Sequence, residues 1–148
     1  MKHEELISGL KQLYLHEIAV QYVEISKISE KEKRTYEQYL AKLTEIELAA
    51  KHRLKVSRLI KDAKLPIYKS LDSYNFDVRE GITAPQLKRL ASGEFVRQSA
   101  NVVFYGGFGV GKTHLAIALI RLLCESGFRC LFSTTHGIIG QLLLAKGI

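Results

Sequence analysis

The sequence predicts an α + α/β chain, in which an N-terminal helical module precedes an α/β unit with parallel strands. In the first half, apolar residues recur every three or four positions, as they do along one face of a helix. A proline-containing aromatic segment then interrupts this period. Beyond it, short apolar runs alternate with helix-like segments, which is the pattern of parallel strands joined by helices. The predicted boundaries are residues 1–64 for the helical module, 65–80 for a docked aromatic linker and 81–148 for the α/β unit.

The helical module is predicted to contain two amphipathic helices that pack as an antiparallel hairpin. The first carries an apolar stripe over residues 6–25. The second begins at Thr35, whose hydroxyl can cap free amides while Gln38 reaches back from three positions further on, as in a capping box. Its apolar stripe continues to about Lys64, shortly before Pro66.

The α/β unit is predicted to open with a short helix, in which Thr83 and Gln86 can form a second capping box and Pro85 is tolerated in the first turn. Two apolar runs, residues 102–105 and 129–135, predict strands, and a helix-like segment follows each of them. Strands separated by helices in this way indicate a parallel sheet.

Composition places the chain among ordinary globular domains. With 148 residues, 47% of them apolar and 25% charged, it can bury a core, which excludes disordered and fibrous classes. The net charge of +7 favours a polyanionic partner such as nucleic acid. No apolar run approaches the roughly 18 residues that span a bilayer, so no membrane partner is predicted. Cys124 and Cys130 lie in apolar contexts that predict buried thiols and a reducing, cytoplasmic compartment.

The residues after the first predicted strand match the phosphate-loop (Walker A) pattern of glycine, four residues, then Gly-Lys-Thr. Such a loop points backbone amides at phosphate oxygens, and the following helix adds its positive end. Lys112 is then expected along the β- and γ-phosphates of a nucleoside triphosphate, and Thr113 supplies a hydroxyl to Mg²⁺. The predicted nucleotide-binding residues are Gly106, Gly107, Phe108, Gly109, Val110, Gly111, Lys112, Thr113 and His114.

Hydrolysis requires groups that the sequence does not supply at the expected places. A phosphate-loop enzyme also uses a carboxylate at the end of a later strand to hold Mg²⁺ and a group that positions water. After Lys112 the only acidic residue is Glu125, which falls within the predicted helix and is assigned to its solvated face. We expect His114 to pack or cap the helix and His136 to be structural. No catalytic residue is therefore predicted.

Aromatic residues of the linker admit two interpretations. Tyr68, Tyr74 and Phe76 can all dock the linker onto the α/β unit. Because a linker before such a strand often lines the base pocket, Tyr74 and Phe76 are also candidates for contact with the nucleotide base. Docking is the favoured interpretation.

A basic stretch precedes the linker. Its charge pattern suits contacts with nucleic-acid phosphates, which give affinity without reading sequence. A solvated helix face has the same pattern, so charge alone leaves both interpretations open. The candidate DNA-binding residues are Lys51, Arg53, Lys55, Arg58, Lys61 and Lys64.

Five stretches occur in a distinctive order: "LISGLKQLYL", "TYEQYLAKLTEIEL", a basic helix ending "KLP", "LPIYKSLDSYNF" and "NVVFYGGFGVGKTHLAIAL". Together they make nearly the whole chain resemble the IstB-type helper ATPases of bacterial insertion sequences. The "GKTHLA" segment is also similar to the DnaC-type helicase loaders, in which a different N-terminal domain is expected. A third interpretation is a non-catalytic module that binds DNA or a partner and carries a vestigial phosphate loop.

The IstB resemblance implies an AAA+ protein that binds ATP with Mg²⁺, associates with itself on DNA and engages its cognate transposase. It favours DNA as the partner of the basic stretch. In that family the AAA+ domain continues with an acidic Mg²⁺-binding pair, a polar sensor and an arginine that acts on a neighbouring subunit. The resemblance therefore implies a truncated N-terminal fragment with an incomplete AAA+ domain, whose strands lack sheet partners and whose hydrolysis is impaired.

Overall fold

The computed structural model describes residues 3–67, Tyr74 and residues 82–147. The chain divides into two compact units, Met1–Lys55 and Val56–Ile148, with the division inside the longest helix. The helices of the described residues are α1 (His3–Gln12), α2 (His16–Lys31), α3 (Tyr36–Asp62), α4 (Ala84–Ala91), α5 (Glu94–Arg97), α6 (Lys112–Glu125) and α7 (Thr135–Ala145). None of these helices is both long enough and apolar enough to cross a membrane.

The prediction of a single helix over residues 6–25 is wrong, because the helix is interrupted between the end of α1 and the start of α2. Tyr14 adopts a left-handed φ of 58°. The next amide, that of Leu15, donates to the carbonyl of Leu10 at 2.9 Å, which closes the end of α1 in the manner of a Schellman motif. The apolar stripe continues across this break, so helical periodicity alone cannot reveal it.

The start of α2 is capped from another helix by Glu47, which lies on α3. Glu47 is buried, at 5% exposure, and its Oε2 accepts the N–H groups of Glu17 at 2.9 Å and Ile18 at 3.1 Å. These first-turn amides have no partner within their own helix, and Leu15 at the N-cap position makes no side-chain cap. The Nζ of Lys51 lies 3.8 Å from the other oxygen of Glu47.

The predicted start of α3 and the antiparallel hairpin are confirmed. The Thr35 amide donates to Gln38 Oε1 at 3.0 Å and the Gln38 amide donates to Thr35 Oγ1 at 3.2 Å, which makes a capping box. The Tyr39 hydroxyl donates to the carbonyl of Tyr22 at 3.4 Å. Since Tyr39 bonds to Tyr22 and the later Glu47 bonds to earlier residues of α2, the two helices run in opposite directions.

The second unit is built around α6, whose apolar side packs against α4. Thr83 and Gln86 form the predicted capping box at the start of α4, with the Thr83 amide donating to Gln86 Oε1 at 2.8 Å. The buried residues of this core are Tyr74, Leu87, Ala91, Leu115, Leu119 and Leu123.

A smaller cluster joins the end of α3 to α6 within the second unit. Leu59 and Ala63 pack with Cys124, whose side chain is fully buried. Both cysteines are free, and burial, with a smaller effect from neighbouring Cys130, raises the pKa of Cys124 to about 11. These contacts confirm the prediction of a buried thiol at Cys124, whereas Cys130, predicted to be buried as well, is only half-buried.

The structure corrects the two predicted strands. Residues 102–105 and 129–134 carry no regular secondary structure, Thr135 begins α7, and no β ladder forms within the described residues. A strand needs a neighbour to receive its backbone hydrogen bonds; here the Phe132 amide donates instead to the carbonyl of Ala63 at 2.8 Å. Val103 and Tyr105 are 83% and 98% exposed, so one side of the first segment is bare.

Candidate nucleotide-binding site

The phosphate loop lies between residue 105 and α6, which begins at Lys112. Gly109 and Gly111 have φ angles of 75° and 89°, a left-handed conformation that glycine adopts without a steric cost. Gly111 is the N-cap residue, and no side chain caps the helix there. The first-turn amides of α6 and the positive end of the helix dipole therefore face the loop, as an anion site requires.

The side chain of Lys112 reaches back over the first half of this loop. Its Nζ donates to the carbonyl oxygens of Gly106 at 3.0 Å and Gly107 at 2.6 Å. An ammonium group has three N–H donors, so two carbonyl bonds leave capacity for a further acceptor. The loop thus carries a positive charge at its opening.

The two residues that follow Lys112 have different environments. Thr113 is exposed on the first turn of α6, where its hydroxyl is accessible. The His114 ring packs edge-on against Tyr74, with ring centroids 5.2 Å apart and an interplanar angle of 85°. The expected packing role of His114 is therefore confirmed.

Tyr74 connects the linker to the loop. The residue is 8% exposed within the core of the second unit, and its hydroxyl donates to the carbonyl of Val110 at 3.2 Å. The loop residue Phe108, by contrast, is fully exposed. Tyr68 and Phe76 lie outside the described residues, and contact of Tyr74 or Phe76 with a nucleotide base stays a prediction.

The remaining candidate groups lie on helix surfaces. Glu125 is exposed on the last turn of α6, as predicted, and His136 is exposed on the first turn of α7. Where the chain is described, no group of three His, Cys, Asp or Glu residues could hold a metal ion. All the basic candidates are exposed, on α3 or, for Lys64, just beyond its end; they are Lys51, Arg53, Lys55, Arg58, Lys61 and Lys64.

A family model described as IstB-like ATP binding protein matches residues 8–147. The chain belongs to this IstB-like family. The match decides between the two ATPase families suggested by the sequence in favour of the IstB type. Similar proteins of this kind are named as ATP-binding proteins of insertion sequences.

The IstB-like chain is similar to several curated proteins named as ATP-binding proteins of insertion sequences. It is 32% identical over 142 residues to that of IS21 from Pseudomonas aeruginosa, covering 96% of this chain and 54% of the relative. It is 33% identical over 149 residues to that of IS1162 from Pseudomonas fluorescens, with coverages of 99% and 64%. The IS5376 protein of Geobacillus stearothermophilus is 28% identical over 131 residues, with coverages of 88% and 52%. The chain thus spans between half and two thirds of the length of these relatives.

Proposed function

We propose that this chain binds ATP at the loop of residues 106–113 and acts as a helper protein in insertion-sequence transposition. The observation that carries the proposal is the position of Lys112, whose ammonium lies over the loop at the uncapped N-terminus of α6. Phosphate oxygens would replace the carbonyls of Gly106 and Gly107 as its acceptors, and the bonds would strengthen because both partners are then charged.

Mg²⁺ fits the same site through the exposed hydroxyl of Thr113, which directly follows Lys112 on the first turn of α6. When bound, the ion would neutralise part of the charge of the nucleotide phosphates. The rest of its coordination would come from the nucleotide and water, as Mg²⁺ sites on phosphates commonly do.

We propose further that residues 1–148 by themselves bind ATP without efficient turnover. Glu125 is the only acidic residue after Lys112, and it is exposed on the last turn of α6, away from the loop at the helix start. No other carboxylate follows the loop to hold Mg²⁺ or orient water in the way that phosphate-loop enzymes use.

Replacing Lys112 with alanine tests the binding site. We expect the Kd for Mg-ATP, measured by isothermal titration calorimetry, to rise by roughly 10- to 100-fold, because a hydrogen bond to a charged group contributes about 1.5–3 kcal/mol. Lys146→Ala is a matched control, since it removes an exposed lysine beyond α7 and should leave the Kd unchanged. Equal affinities of wild type and Lys112→Ala would favour the third interpretation, a non-catalytic module with a vestigial loop.

We propose that exposed cations of α3 contact DNA phosphates and that the transposase and further copies of the protein assemble with this chain. Support comes from the net charge, from the exposure of all six candidate cations and from the insertion-sequence relatives. Binding of a replicative helicase by the helical module, in place of DNA and transposase, would indicate loader activity instead.

Neutralising Lys55, Arg58 and Lys61 together should weaken DNA binding. Each lost phosphate contact lowers the slope of log affinity against log salt by about 0.9, so the slope should fall by up to about 3. Fluorescence anisotropy with a labelled duplex at several salt concentrations measures this. A control variant that neutralises the exposed residues Lys11, Lys27 and Lys31 changes the net charge equally. An identical slope in the two variants would contradict a role for α3.

A further inference from the structure

We propose that Tyr74 is a positioning residue of the phosphate loop, whose hydroxyl orients the peptide between Val110 and Gly111 so that the Gly111 N–H faces the nucleotide phosphates. The inference rests on the proposed ATP binding. It assigns to Tyr74 a task distinct from linker docking and from contact with a base. The starting observation is the 3.2 Å hydrogen bond from the Tyr74 hydroxyl to the carbonyl of Val110.

The geometry of the peptide unit converts this bond into an orientation. In a planar trans peptide the C=O of one residue and the N–H of the next point in opposite directions. Because Tyr74 holds the Val110 carbonyl, the Gly111 N–H must point away from Tyr74. Gly111 is the N-cap residue of α6, so its N–H lies where the loop meets the positive end of the helix.

Without that bond, little would fix this peptide. Gly111 has a φ of 89°, and glycine tolerates both signs of φ, so the plane can turn over at small cost. Val110 is 40% exposed, so its side chain is only partly held by packing. A hydrogen bond from a buried group therefore selects one of two accessible orientations.

Tyr74 is rigid enough to make that selection. The residue is 8% exposed among the buried leucines of the core, Leu87, Leu115 and Leu119, and its ring meets the His114 ring edge-on. Lys112 also restrains loop carbonyls, those of Gly106 and Gly107, and we propose that it transfers to the phosphates when ATP binds. The Tyr74 bond is then the restraint that persists in the nucleotide-bound protein.

The test is Tyr74→Phe, which keeps the buried ring and removes only the hydroxyl. We expect the Kd for Mg-ATP to rise about five- to tenfold, the equivalent of one hydrogen bond. Tyr39→Phe is the matched control, because it also deletes a tyrosine hydroxyl that donates to a backbone carbonyl, but in the first unit, and should leave the Kd unchanged. Titrations at a temperature where each variant is folded, checked by thermal melting, separate loop geometry from stability.

Nuclear magnetic resonance supplies a readout that a purely structural role would not move. In nucleotide-free protein, Tyr74→Phe should shift the Val110 carbonyl carbon resonance, and it should reduce the ATP-induced shift of the Gly111 amide proton. If Tyr74→Phe changes neither the Kd for Mg-ATP nor the ATP-induced shift of the Gly111 amide, while Lys112→Ala does weaken ATP binding, this inference alone is overturned. Wild-type protein that fails to bind ATP would overturn the proposed function, and an unshifted Val110 carbonyl would then also reject the Tyr74 bond.

Discussion

Replacing Glu47 with alanine is expected to lower the free energy of unfolding of the first unit by about 3 kcal/mol. The change removes the buried carboxylate that accepts from two part-buried first-turn amides of α2, those of Glu17 and Ile18. Each unsatisfied buried donor costs about 1–3 kcal/mol, and the loss of a negative charge beside a helix N-terminus adds to this.

Urea unfolding followed by circular dichroism measures the global effect of Glu47→Ala, and amide hydrogen exchange measures the local one. The Glu17 and Ile18 amides should exchange faster in the variant, since they lose their acceptor. Glu45→Ala serves as control, because Glu45 is an exposed acid on the same helix whose partner is Lys42, and the unfolding midpoint should not move. Full protection of both amides in Glu47→Ala would show that the carboxylate does not hold the start of α2.

Replacing Gly93 with alanine is expected to destabilise the second unit by about 3 kcal/mol. Gly93 has a φ of 73°, which costs a residue with a Cβ about 1–2 kcal/mol. A Cβ there would also overlap the ring of Phe128, which packs on the core and carries the Arg97 guanidinium 5.4 Å from its centroid. Relieving this overlap requires the ring to move, and overpacking of this kind costs about 1–3 kcal/mol.

Thermal and urea unfolding measure the Gly93→Ala effect. Gly140→Ala provides the control within the same unit, because Gly140 lies in α7 with open space around it; alanine there should be neutral or stabilising by up to about 1 kcal/mol. Adding Phe128→Leu to Gly93→Ala should cost less than the sum of the two single changes, since the overlap is shared. Simple additivity would mean that the ring does not oppose the new methyl group.

Local sequence predicts those features of the fold that depend only on residues close together in the chain. The capping boxes at Thr35 and Thr83 each use residues three positions apart, so their spacing is sufficient to predict them. The break before α2 is different, because the group that caps the new helix, Glu47, lies 30 residues from its partner Glu17 along the chain. The spacing of apolar residues over 6–25 therefore does not reveal the break before α2.

The candidate site likewise combines features that local sequence predicts with a long-range contact that it does not predict. The loop pattern predicts the glycines, Lys112 and the start of α6, because a phosphate loop is contiguous in sequence. The bond from Tyr74 to Val110 joins residues 36 positions apart and depends on how the core packs, so the sequence offers only an aromatic residue in a linker. The strand predictions failed for a related reason, since a strand exists only with a neighbour that the described chain does not provide.

The two bonds of Lys112 also bear on the shape of the loop and on its affinity for phosphate. By bonding to two carbonyls of its own loop, the ammonium holds the first half of the loop in shape. In the proposed ATP complex the phosphates compete with those carbonyls for Lys112, so the observed affinity is lower than it would be for an unpaired ammonium. In return the loop needs little reorganisation, and nucleotide capture should proceed by replacement of one set of acceptors with another.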